Sequence, residues 1–126
     1  MRRIVLLAGA LGLTGCASQP PPMAGTPESS RATLVAALDG WKAGQTYQDL
    51  SKQSPPLYFR DDDLSRGAKL LDYTVEGDPR QNGTGYSYVV ALTFENSTGT
   101  KPAPTKVAYT VVTEPKHAVT REDRKP

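Results

Sequence analysis

Along this chain the spacing of apolar side chains changes from a helical period to an alternating one, dividing it into a helical first part and a sheet-forming second part. Leu34, Leu38 and Trp41 recur at spacings of four and three, so they share one helix face. Ahead of them Thr26 caps, Pro27 occupies a first-turn position whose N–H would be unpaired anyway, and Glu28 complements the positive end of the dipole. The helix is expected to end near Gly44, and Gly40 inside it costs about 1 kcal/mol relative to alanine, which packing has to offset. A short second helix follows from Thr46, with Asp49 in the capping-box position and Ser54-Pro55-Pro56 as its stop. Leu57, Tyr58 and Phe59 read as a buried extended link.

From Lys69 the period is two. Leu71, Tyr73 and Val75 alternate with polar residues, as do Tyr86, Tyr88, Val90, Leu92 and Phe94, and then Val107, Tyr109 and Val111. The breaks at 78–83 and 96–100 are rich in turn residues, which predicts antiparallel hairpins. His117 to Arg121 adds a fourth, edge strand whose alternation is too weak to assign a face to Val119, and the charged residues from Glu122 onward form a frayed tail. A meander with one apolar face needs a cover, and the stripe of Leu34, Leu38 and Trp41 supplies it. The predicted fold is α+β: an N-terminal helix packed on a curved antiparallel sheet of three to four strands, in one domain over 27–122 with a charged tail at 123–126.

The first sixteen residues are of another kind. Arg2 and Arg3 precede an apolar run, Ile4 to Leu13, broken only by Gly9 and Gly12. As a helix this run would reach about 15 Å, half of the roughly 30 Å of bilayer hydrocarbon, so it is read as a secretory signal over residues 1–15 and not as a membrane span. It closes on Leu13-Thr14-Gly15-Cys16, which resembles the lipobox of bacterial lipoproteins. The resemblance implies diacylglyceryl transfer to the Cys16 sulfur, cleavage after Gly15 and acylation of the new amino terminus. Several acyl chains hold a protein stably where one does not, since each buried CH₂ contributes about 0.8 kcal/mol. Within that family the residue after the cysteine guides sorting, and Ala17, not being aspartate, points to the outer membrane over the inner. Residues 16–26, with Pro20-Pro21-Pro22, read as an extended tether reaching up to about 30 Å.

Processing changes the charge balance. The full chain has 15 basic and 13 acidic residues, and removal of Arg2 and Arg3 leaves 13 of each with interleaved signs, which argues against a nucleic-acid partner. With the only cysteine acylated, disulfides, thiolate metal sites and cysteine nucleophiles are excluded by count.

Candidate chemistry is sparse. Asp61-Asp62-Asp63 offers hard-cation ligands, but it lacks the spacing of a calcium loop; the preferred reading is that Asp61 or Asp62 caps a helical turn ending at Gly67 with Leu64 inward. His117, the only histidine, stands beside a turn with no marked acid, base or ligand partner and reads as an exposed strand residue. Asn82-Gly83-Thr84 and Asn96-Ser97-Thr98 fit the glycosylation acceptor pattern and are better explained as turns.

The order of elements from Pro27 to Glu122 resembles the cystatin-like and nuclear-transport-factor-like cones, in which an N-terminal helix lies across a bent antiparallel sheet. The run from Ala37 to Leu71 is also similar to small bacterial proteins with a tryptophan helix, a Ser-Pro-Pro stop and Gly-x-Lys-Leu before the sheet. The cone resemblance implies a mouth lined by Trp41, Tyr73, Tyr88 and Tyr109, with Asp72 out of phase with the apolar face. Three readings follow. The leading one is a non-enzymatic, membrane-anchored envelope lipoprotein that binds a protein or surface partner and needs no cofactor. The second is a cone holding a small apolar ligand, and the third a small hydrolase or isomerase. An open cavity lined by those aromatics would favour the ligand or enzyme readings; a filled interior with an uncovered sheet face or edge would favour partner binding.

Overall fold

A computed structural model describes residues 25–96 and 102–123. The expected signal, Cys16 and nearly all of the expected tether lie outside them, as do residues 97–101 and 124–126. The element order is α1 (Pro27–Lys42), α2 (Tyr47–Ser51), β1 (Leu57–Arg60), α3 (Asp62–Ser65), β2 (Leu70–Asn82), β3 (Gly85–Phe94), β4 (Thr105–Val112) and β5 (His117–Arg121). The fold is α+β, as the change of period requires: a helix lies on one five-stranded sheet of order β1-β5-β4-β3-β2.

Each helix starts where its capping residues dictate. The Thr26 hydroxyl accepts from the Ser29 N–H while the Ser29 side chain accepts from the Thr26 N–H, and Thr46 and Asp49 repeat this box at α2. Asp61 caps α3 by accepting from the N–H groups of Asp63 and Leu64, with Leu64 buried. Gly40 is explained by contact: a Cβ there would stand 2.7 Å from Leu50 Cδ2 and from Gln45 Oε1, so glycine lets α2 approach α1 without these two side chains having to move.

The core joins Leu34, Leu38 and Trp41 of α1 to Tyr88, Val90 and Leu92 of β3, Val107, Tyr109 and Val111 of β4, Val119 of β5, and Leu57 and Phe59 of β1. Trp41 packs against Phe59 with ring centroids 5.7 Å apart and against Phe94 at 5.5 Å, and its Nε1–H donates to the Ala68 carbonyl at 2.8 Å. The predicted helical stripe therefore does cover the sheet.

Several expectations are corrected. The sheet has five strands, not three or four, and is mixed: Leu57–Phe59, expected as a link, forms a strand with Arg60 that pairs parallel with β5. Tyr58 is exposed, because a strand turns alternate residues outward and only Leu57 and Phe59 face the core. The strand at 117–121 is not an edge; it lies between β1 and β4, with Val119 fully buried. Leu71 is exposed and Leu70 buried, since an irregularity between Leu70 and Asp72 shifts the alternation by one. The segment 78–82, expected as a turn, continues β2 through a second irregularity between Glu76 and Arg80, and a two-residue loop, Gly83-Thr84, closes the hairpin. Glu122 is not frayed: its N–H donates to the Ala108 carbonyl, and its carboxylate accepts from Ser87 and Thr110.

Candidate functional site

Of the four aromatics expected at a cone mouth, three are sealed inside. Trp41, Tyr88 and Tyr109 are 3%, 1% and 0% exposed, and each polar end is answered within the domain. The Tyr88 hydroxyl lies 2.5 Å from Ser30 Oγ and donates to the Pro27 carbonyl at 3.0 Å, tying the first turn of α1 to β3. Burial raises its pKa. Tyr73 is half-buried at the rim, where its hydroxyl donates to Asp39 at 2.7 Å; burial and this carboxylate push its pKa up to about 12. Asp72 is exposed and pairs with Lys42 at 3.5 Å. Half-buried His117 stands opposite Leu57 in the β1–β5 register.

The charged groups gather at a corner of the sheet. Asp61, whose side chain is fully buried, accepts from the Tyr109 hydroxyl through Oδ2 at 2.5 Å, and from Arg121 Nη1 through Oδ1 at 3.3 Å. The same Nη1 donates to Asp63 Oδ2 at 2.5 Å, and Arg66 binds the other oxygen of Asp63. Two carboxylates and two guanidiniums thus form a closed network that fixes α3 to β4 and β5. Burial and the adjacent Asp61 charge push the Tyr109 hydroxyl far above its ordinary range. For Arg121, burial opposes the charged form, but its hydrogen bond to Asp63 and the field of Asp61 outweigh it, and its pKa rises. Both Asp61 oxygens are engaged by protein donors, so the acidic triplet serves as cap and ion-pair partner. This network flanks an open cleft of about 880 Å³ whose walls include Tyr47, Arg60, Asp62, Arg66 and Lys106.

Sequence reasoning expected Asp61 or Asp62 as the cap, of which Asp61 takes the role, but missed Arg121 and the role of the Tyr109 hydroxyl. The available signal was parity: Arg121 shares the inward phase of Val119, and β4 and β5 pair Tyr109 with Arg121. Without knowing that β5 lies inside the sheet, the phase could not be used.

One long edge of the sheet has no further strand beside it among the described residues. At one margin of the sheet α2 packs beside β1, whereas β2, at the other, has β3 as its only strand neighbour among the described residues. Comparison with protein-family models, with curated proteins and with solved structures returned no match in any of the three. Among the described residues, no helix is long and apolar enough to cross a membrane.

Proposed function

We propose that the chain is a lipid-tethered envelope protein without enzymatic activity, whose domain docks a protein or surface partner. The observation that carries this reading is the filled interior. Trp41, Tyr88 and Tyr109 occupy the space that a cone-shaped ligand site would leave open, and their polar ends are consumed by Ala68, Pro27, Ser30 and Asp61. Recognition then falls to the outside, where the β2 edge has no strand partner among the described residues.

The tether supports the same reading. The described chain begins at Gly25, packed against Thr113 just beyond the end of β4, whereas Thr105, Lys106 and Val107 at the start of β4 line the charged cleft. At about 3.4 Å per residue, β4 separates these two ends by roughly 25 Å. A lipid on Cys16, in the outer membrane as Ala17 suggests, would hold the domain by the end remote from the cleft.

Short-range chemical crosslinking of the intact protein in its native envelope tests the reading. A discrete complex of constant mass is expected. Only free monomer, with crosslinkers of several lengths, would contradict it.

A further inference from the structure

The open edge of β2 has a definite chemistry. The Glu122 N–H donates to the Ala108 carbonyl, so the backbone groups of Ala108 point toward β5, and those of Val107 and Tyr109 toward β3. Carrying the alternation across the registers directs Val89, Ala91 and Thr93 of β3 toward β2, and their partners Glu76, Thr74 and Asp72 back toward β3. The N–H and C=O groups of Tyr73 and Val75 therefore face outward, along the side where no described strand lies. Their side chains are half-buried on the helix side of the sheet, whereas Asp72, Thr74 and Glu76 occupy the opposite face.

From Leu70 to Pro79 this strand carries three acidic residues, Asp72, Glu76 and Asp78, and no basic one. Lys42 and Lys106 reach Asp72 and Glu76 from neighbouring elements, but through solvent-exposed pairs of 3.5 and 3.2 Å that an incoming cation can replace. A second copy of the chain is a poor occupant. Symmetric antiparallel pairing about Thr74 sets Asp72 against Glu76, and pairing about Val75 sets Asp72 against Asp78.

We infer that β2 receives an extended segment of a partner protein, added as a sixth strand, in which basic residues alternate with apolar ones. The apolar residues lie opposite Tyr73 and Val75, along the helix-side rim. The basic residues lie opposite Asp72, Thr74 and Glu76. Backbone hydrogen bonds to Tyr73 and Val75 give the register, and the acidic row selects the sign of charge. This deepens the partner-binding reading and rests on it.

The probe is an end-blocked peptide, Lys-Val-Lys-Val-Lys, added to the full chain in detergent micelles. Amide hydrogen exchange should slow at Tyr73 and Val75, and binding should weaken as salt rises. Asp72→Lys with Glu76→Lys should weaken it about tenfold, the size expected from reversing two cross-strand charge pairs. Should that double variant melt early, the same peptide N-methylated at its central residues keeps the protein unchanged and should fail to protect the two amides. Equal binding of Glu-Val-Glu-Val-Glu, protection elsewhere, or no binding overturns the inference. Envelope crosslinking separates the two levels: a complex that survives the double variant overturns the β2 assignment alone, whereas no complex with the unaltered protein overturns partner binding itself.

Discussion

The hydroxyl of Tyr109 donates to Oδ2 of Asp61 at 2.5 Å, joining the middle of β4 to the cap of α3 across 48 residues of sequence. Both groups are sealed from solvent, so neither can fall back on water if the other is removed. Tyr109→Phe should cost about 1–3 kcal/mol, the penalty for stranding a buried acceptor. Asp61→Ala should cost more, about 2–4 kcal/mol, because it removes the cap of α3 as well as the Tyr109 partner. Denaturant melts of the two variants measure this order, and equal or negligible losses would show that the network does not hold the corner together.

Alkaline pH should weaken the domain. Tyr73 is raised from 10.0 to about 12 and Tyr109 is raised further, so the folded chain keeps protons that the unfolded chain releases from about pH 10 upward. The stabilisation is fully present below pH 10 and is lost as pH rises through the folded values, from 10 to about 12 for Tyr73. Melting temperature against pH should fall across this range, and Tyr109→Phe should make the fall shallower.

Trp41 joins helix to sheet through two ring contacts and one hydrogen bond. Trp41→Asp should unfold the domain by placing an unpaired charge among Phe59, Phe94 and Leu38. Trp41→Phe should leave it folded but less stable by about 1–3 kcal/mol, through the freed Ala68 carbonyl and the lost ring volume. Circular dichroism of both separates the two outcomes.

Gly25 has φ +82°, and a Cβ there would clash with Thr113 Oγ1. Gly25→Ala should therefore lower the melting temperature, with about 1–2 kcal/mol from left-handed backbone alone and more from displacing Thr113. Adding Thr113→Ala should relieve the nearest contact but neither the backbone nor the 2.7 Å approach to Ser29 Oγ.

Local rules made the helices legible. Thr26, Thr46 and Asp61 each cap through neighbours within three residues, and the stripe ending at Trp41 marks the face that packs. Where a single residue shifts the register, alternation failed: at Leu70 and Leu71 an irregularity exchanges which side chain is buried. Non-local pairing was hidden as well. Nothing in Leu57–Arg60 or His117–Arg121 announces that the two segments pair parallel, yet that pairing makes β5 internal and brings Arg121 to Asp61. The open edge of β2 follows from the same strand order, so it too could be recognised only once the sheet was assembled.

The proposed binding from a membrane-held position depends first on the proposed lipid, and intact mass spectrometry of the protein purified from its native envelope tests this most directly. The account predicts a chain beginning at Cys16 whose mass exceeds the bare polypeptide by a diacylglyceryl group and an acyl chain, with the addition located on that residue. A free thiol at Cys16, or residues 1–15 still attached, would contradict it.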